Sequence, residues 1–352
     1  MITEAHLNFF KNKKILITGN TGFVGSNLSI VLSLLGSKVV GFSKKKKYKG
    51  YLSNHKNFKK KIKTIYGDIN KINLFENDLK KFNPQIVVHL ASQPVVKDSY
   101  SHTRETYKTN ILGTIELLET IKKIKSVKQI IIFTSDKVYQ NIKGKYLNEN
   151  SKIGGLDPYS ASKSSQDIIA NSYKSSFFKK NKNLIIIRAG NIIGGGDFEF
   201  SRIVPELFLS LFNNKTLVLR NPFAIRPWQH IFDVVYAIVL IIFNSYQKIQ
   251  TKTIIYNIGP NRSSNIKVIK LVKNIKERIN KFNFIKNKKV LFSETKILKL
   301  SNQLIKKKIK WKPSINVSKT IDLTIDWYEK FYQNPFKVYE FTIKQIKFFF
   351  KI

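Results

Sequence analysis

The sequence predicts an α/β fold, a doubly wound parallel sheet carrying a smaller C-terminal lobe, on three observations. Short β-branched apolar runs alternate with helical patterns as far as residue 188. The turn Gly19-Asn20-Thr21-Gly22-Phe23-Val24-Gly25 joins the first run to the first helical pattern. Beyond Arg188 the strict alternation stops, which marks the lobe.

The first strand is KILITG, from Lys14, and the helix that follows opens at the glycines. Gly19, Gly22 and Gly25 have the spacing for a tight turn, close approach of backbone to a pyrophosphate, and close packing of helix on strand. The helix start adds unpaired N–H groups for phosphate oxygens. A Rossmann-like dinucleotide site is therefore expected at Gly19, Thr21, Gly22, Phe23, Val24 and Gly25.

Residues 38–42 give the second strand. An acidic residue at its end would hold the adenosine ribose of NAD, but Ser43 is followed by Lys44, Lys45, Lys46 and Lys47. A basic residue there accommodates a 2′-phosphate, so both NAD and NADP stay open. The third strand, 63–66, ends in Gly67-Asp68-Ile69, where Asp68 either meets the adenine amino group or caps a turn. The fourth, 86–90, leads into Leu90-Ala91-Ser92-Gln93, small enough to let a cofactor pass. His89 inside it reads as a packed core residue. Helical periodicity covers 104–124, with Asn110 facing the sheet.

The fifth strand, Ile130-Ile131-Ile132-Phe133, is apolar on both faces, as a central parallel strand must be. Ligands collect at the carboxyl ends of such strands, here Thr134, Ser135, Asp136 and Lys137. Downstream, Asp157-Pro158 signals a helix start, and Tyr159 and Lys163 lie four apart on one face of that helix. A free phenol ionises near pH ~10. A neighbouring ammonium with a hydroxyl donor such as Ser135 is expected to lower that value and make Tyr159 a base.

A sixth strand, 184–188, precedes Asn191 and the glycines 194–196. The lobe then carries Arg220, Arg226, Trp228, Gln229 and His230 among prolines. Arginine forks suit a pyrophosphate and an indole face suits a flat base; Arg226 taken alone also fits a structural ion pair. Residues 233–243 return a helix to the main body, 254–258 add a strand, and 289–292 form a short strand. The lysine-rich tail after Pro335 either extends the last helix or frays.

Composition narrows the class. The chain has 352 residues, 42% of them hydrophobic, and no cysteine. A large core is within reach, while disulfides and cysteine-ligated metals are excluded. The start, MITEAHLNFFKNKK, has no signal-peptide pattern, and the apolar run 234–243 is too short to span a bilayer. A soluble cytoplasmic protein is expected. Net charge is +41, but lysine is spread through every segment, so no nucleic-acid stripe is read. Runs 44–47 and 59–61 are taken as solvated loop charge, and the excess favours anionic small substrates.

These residues resemble the extended short-chain dehydrogenase/reductase superfamily, and within it the nucleotide-sugar 4,6-dehydratases, most of all those acting on CDP-glucose. The resemblance rests on HLASQPVVKDSY (89–100), TSDKVY (134–139), RAGNIIGGGD (188–197) and RPWQH (226–230). It implies bound NAD returned unchanged and a hydro-lyase reaction. Ser135, Tyr159 and Lys163 would serve oxidation at the sugar C4, and Asp136 and Lys137 elimination. Asp68, Ile69, Leu90, Ala91, Ser92, Asn110, Tyr159 and Lys163 would complete the cofactor site. Gln93, Asn191, Arg202, Arg220, Arg226, Trp228 and His230 would hold the substrate. A homodimer through a helix pair including 159–178 is also implied. The expected division is 12–190 with 233–258 as the dinucleotide-binding body, 191–232 and 259–335 as the substrate lobe, and 336–352 as tail.

Overall fold

A computed structural model describes residues 2–48, 50–140, 144–279, 282–287 and 295–352. Seven strands form one parallel sheet: β1 (Lys14–Thr18), β2 (Lys38–Ser43), β3 (Lys63–Tyr66), β4 (Ile86–His89), β5 (Gln129–Ser135), β6 (Asn183–Ala189) and β7 (Ile254–Ile258). Their spatial order is β7-β6-β5-β4-β1-β2-β3. Chain order therefore reverses between β1 and β4, and the crevice over that junction is where such sheets take ligands. Each strand that the apolar runs predict is present, except that 289–292 lies outside the described residues.

The middle strands are apolar because both faces are covered. Ile15 and Ile131 point into one core with the helix Phe23–Leu34, whereas Leu16 and Ile130 point into another with Leu117 and Ile121. Successive side chains alternate between faces, so a strand such as β5 must be hydrophobic throughout. After β6 three two-stranded pairings involve short segments, including 225–227 with 265–267 and 217–219 with 284–286.

Three stretches depart from expectation. The single helix over 104–124 is divided into Thr103–Tyr107, a π-turn at Lys108–Leu112 and Gly113–Lys122. The apolar period runs through the join, so nothing in it announces the wider turn. The tail neither frays nor prolongs the preceding helix. The helix Val317–Gln333 stops, and after Pro335 a separate helix, Val338–Phe350, buries Ile346 and Phe350. Lys59–Lys61 also differ, ending a short helix instead of lying in a loop.

Candidate active site

The site begins at the glycine turn. Gly19 has φ +72°, and a Cβ on it would lie 2.7 Å from the Ala91 amide nitrogen; one on Gly25 would lie 2.2 Å from the Gly19 oxygen. Only glycine lets the turn lie against residues 90–91 and the helix lie against the turn. Gly22 caps the helix Phe23–Leu34 without a side-chain bond. Its first-turn amides therefore lack intrahelical partners and can receive an anion.

Around this turn opens a cleft of about 350 Å³ lined by Gly19, Gly22, Phe23, Val24, Gly25, Ile69, Leu90, Ala91 and Ser92, and also by Ser135, Asp136, Lys137, Tyr159 and Lys163. The residue types and the uncapped helix start fit a dinucleotide. Three expected cofactor residues are not among the lining groups. Thr21 is buried, with its hydroxyl 2.6 Å from Ser43 Oγ and 3.0 Å from the Lys44 carbonyl. Asn110, drawn inward by the π-turn, is occupied by the Gln93 backbone and Ser162 Oγ. Asp68 caps the next turn through Asn70 N and pairs with Lys44 at 3.1 Å.

At the far end of the cleft β5 delivers Ser135, whose hydroxyl donates to Asp136 Oδ1 at 3.1 Å and accepts from Lys137 N at 3.2 Å. Asp136–Val138 is a 3₁₀ turn, so the acid and the amine leave the strand on a tight curve. Asp157 caps the helix Pro158–Ser176 by accepting from Ser160 N, which fixes Tyr159 and Lys163 one turn apart above β5. Lys163 Nζ approaches the Phe133 carbonyl at 3.5 Å.

The electrostatics correct the expectation for Tyr159. Burial pushes its phenol up to about 12, against the downward pull of the Ser135 hydrogen bond and of Arg202. Lys163 is itself lowered to about 7 by burial, with Asp167 opposing the fall. The reason is desolvation: an enclosed site penalises both charged forms more than one spacing of four can repay. His89 is core, as expected, bonded to Thr18 and Thr114 and lowered by burial to about 3.

A second cavity of about 240 Å³ adjoins, sharing Lys137, Asn191, Asp197 and Arg202 with the first and adding Arg220, Arg226 and Trp228. Arg202 pairs with Asp197 at 3.0 Å, Arg220 with Glu206 at 2.7 Å, and Trp228 Nε1 donates to the Ile266 carbonyl. Arg226 Nη1 donates to the Ile225 carbonyl. Gln93 and His230 are not in its wall. Gln93 folds onto the Val95 backbone, and His230 Nδ1 accepts from Phe232 N to cap the next helix. Residue reading missed Lys46, Tyr51, Asp197 and Glu199, which also line the cleft. Lys46 and Tyr51 come from the run taken as loop charge and its sequel, brought to Asp197 and Glu199 by the fold alone.

Known proteins resemble this chain in sequence and in fold. The chain is 35% identical over 272 residues to a CDP-glucose 4,6-dehydratase of Salmonella typhimurium, covering 75% of this chain and 76% of that one. It is 33% identical to a dTDP-D-glucose 4,6-dehydratase of Dictyostelium discoideum, covering 75% and 62%. In fold it matches the crystal structure of a Bacillus anthracis dTDP-glucose 4,6-dehydratase in complex with NAD, with TM-score 0.76, 24% identity and 92% and 98% coverage. A UDP-glucose 4-epimerase from Bifidobacterium longum, in complex with NAD+ and UDP, superposes with TM-score 0.81 at 20% identity, covering 92% and 99%. The sequence profile described as GDP-mannose 4,6 dehydratase matches residues 16–324, and since this reaches from β1 through both cavities, the chain belongs to that family of nucleotide-sugar 4,6-dehydratases.

Proposed function

We propose that this chain is an NAD-dependent CDP-glucose 4,6-dehydratase, a hydro-lyase yielding CDP-4-keto-6-deoxyglucose. The observation that carries the reading is that Ser135, Asp136, Lys137, Tyr159 and Lys163 line one cleft with the glycine turn, so groups for oxidation and for elimination face one space. The choice of cytidine rests on the 35% identical relative.

Gly19, Gly22, Phe23 and Val24 would hold the cofactor diphosphate, and Lys163 its nicotinamide end. NAD held there would supply a hydride acceptor, and its positive charge would favour the ionised form of Tyr159. Tyr159, hydrogen-bonded to Ser135, takes the proton of the sugar 4-hydroxyl as hydride departs C4. The resulting ketone acidifies C5–H, whose proton goes to Lys137. Asp136, 3% exposed, gives its proton to the departing 6-hydroxyl, which leaves as water; burial is what allows a carboxyl to carry that proton. Return of the hydride to C6 and of the Lys137 proton to C5 would complete the product, and proton exchange with solvent would reset Tyr159 and Asp136. Arg202, Arg220, Arg226 and Trp228 receive the nucleotide diphosphate and base.

Residues 12–190 with 233–258 form the dinucleotide-binding body in this reading, with 191–232 and 259–335 as the substrate lobe. A homodimer is supported by Ile168 and Leu112, 58% and 42% exposed near the expected helix pair. A cytoplasmic location agrees with the fact that no helix among the described residues is long and apolar enough to cross a membrane.

Purified protein incubated with CDP-, UDP- and dTDP-glucose tests the proposal through the alkaline absorbance of a 4-keto sugar. Turnover of CDP-glucose is expected. Turnover of only the other two would replace cytidine with uridine or thymidine. Lys137→Ala should abolish dehydration yet leave slow reduction of NAD by substrate, seen at 340 nm.

A further inference from the structure

The groups for oxidation and those for elimination reach the cleft from different elements. Tyr159 and Lys163 come from the helix Pro158–Ser176, and Ser135, Asp136 and Lys137 from the end of β5 and the turn after it. Both sets must address one sugar ring, and a misplacement of about 1 Å costs on the order of a hundredfold in rate. Behind the cleft, one buried guanidinium is bonded to the supports of both. Arg188 stands on β6 in register with Thr134 of β5 and Asn257 of β7, and it is 2% exposed.

The bonds of Arg188 leave in two directions. Nε and Nη2 reach Asp167 Oδ2 at 2.6 and 2.5 Å. Asp167 is fully buried one helical turn beyond Lys163, and its charge opposes the fall of the Lys163 pKa. On the other side Nη1 donates to the Tyr139 hydroxyl at 2.9 Å and to the Glu149 carbonyl at 3.1 Å, with the guanidinium 4.8 Å from the centre of the Tyr139 ring. Tyr139 closes the turn Asp136–Val138 and donates in its turn to Asn257 Oδ1 at 2.6 Å. Burial pushes its phenol up to about 12, so the hydroxyl keeps the proton it gives to Asn257. A planar fork suits the task because its donors are fixed relative to one another, so neither the helix nor the turn can shift alone without breaking one side.

We propose that Arg188 is a positioning residue that holds the oxidation helix and the elimination turn in register, through Asp167 on one side and Tyr139 on the other. None of the three lines either cavity, so their effect passes through the residues that do. The inference rests on the dehydratase reading and adds to it a mechanical link between the two stages of the reaction.

Replacing Arg188 itself would strand a buried carboxylate and threaten folding. Tyr139→Phe, which cuts only the link to the turn, and Asp167→Asn, which removes the charge shared by Arg188 and Lys163, test the proposal instead. The full chain is mixed rapidly with the nucleotide sugar that the wild type turns over; absorbance at 340 nm follows oxidation at C4, and the alkaline absorbance of quenched samples follows the 4-keto-6-deoxy product. Tyr139→Phe should slow product formation at least about tenfold while the rise at 340 nm stays within about twofold of wild type, so that reduced cofactor accumulates. Asp167→Asn should slow the rise itself at least about tenfold, without accumulation. Wild-type rates for both stages in Tyr139→Phe, equal slowing of the two stages in it, or a wild-type rise in folded Asp167→Asn overturns the proposal. Where thermal melts show that Asp167→Asn does not fold, Tyr139→Phe decides the question alone. Absence of product from CDP-, UDP- and dTDP-glucose with the wild type overturns the dehydratase reading, and this proposal with it.

Discussion

At the residue scale, Lys163 is the group whose charge is most finely balanced. In the folded protein it titrates near 7 because it is buried, with Asp167 one helical turn along holding it up and neutral His89 nearby. An unfolded lysine titrates near ~10.4. A lowered lysine value means the unfolded chain binds more protons between these limits, so stability rises with pH there. That contribution is complete above the unfolded value and is lost as pH falls through about 7. Binding has the opposite sign. A ribose accepting a hydrogen bond from the ammonium raises its pKa, so the dissociation constant for NAD should climb as pH increases from 7 to 9. Titrations in buffers of different ionisation enthalpy should register proton uptake on binding. Lys163→Arg, charged at every working pH, should flatten the profile; a wild-type profile already flat would remove the ammonium from the cofactor contact. Tyr159 and Lys163 were legible because four residues on a helix fix a geometry. The direction of the phenol shift was not, because desolvation depends on what the rest of the chain packs around it.

At the element scale, the strands were legible from their β-branched runs, and the helix over 158–176 from Asp157-Pro158. What holds that helix at its other end was not. Lys174 is fully buried, its Nζ bonded to the carbonyls of Phe178 and Lys182 at 2.9 and 2.6 Å. Lys182 in turn reaches the carbonyls of Ile124 and Val127, both at 2.9 Å. Two lysines that composition alone would place in solvent therefore tie the carboxyl ends of helices, where orphan carbonyls gather, to the start of β6. Lys174→Met keeps most of the packing volume but strands those carbonyls, and should cost about 2–4 kcal/mol from unsatisfied buried acceptors. Urea unfolding should show a lower midpoint at unchanged slope, while cofactor affinity in the native range stays as in wild type. A midpoint shift within error would mean that water reaches this end of the helix.

At the scale of the whole molecule, the net charge of +41 is readable from composition, and its consequence is long-range. Attraction of an anionic sugar nucleotide weakens as salt shortens the screening length, so kcat/KM should fall several-fold between roughly 50 and 500 mM salt while kcat holds. The course of the last seventeen residues was not readable, since Phe and Lys at helical spacing also describe a solvated extension. In the fold, Phe350 packs on Phe232 and Tyr236, and Thr342 Oγ1 accepts from Trp327 Nε1 at 2.7 Å. The Trp327 ring fills the space where any Cβ on Gly195 would have to go. On the same helix, the Tyr328 hydroxyl donates to the Asp197 carbonyl, and Asp197 holds Arg202 between the two cavities. A physical line thus runs from the terminal helix through Trp327 and Tyr328 to a substrate-facing arginine. Removing residues 336–352 exposes the faces that bury Ile346 and Phe350, worth about 1.5–3 kcal/mol each. The melting temperature should drop by at least about 5 °C, and KM for the sugar nucleotide should rise more than kcat falls. Thr342→Val, which removes the indole acceptor together with the hydroxyl's own bond to the Val338 carbonyl one turn back, should show the same KM effect in weaker form with a smaller loss of stability. If truncation lowers the melting temperature while KM stays unchanged, Asp197 and Arg202 are held by their own segment, and the terminal helix only covers the core.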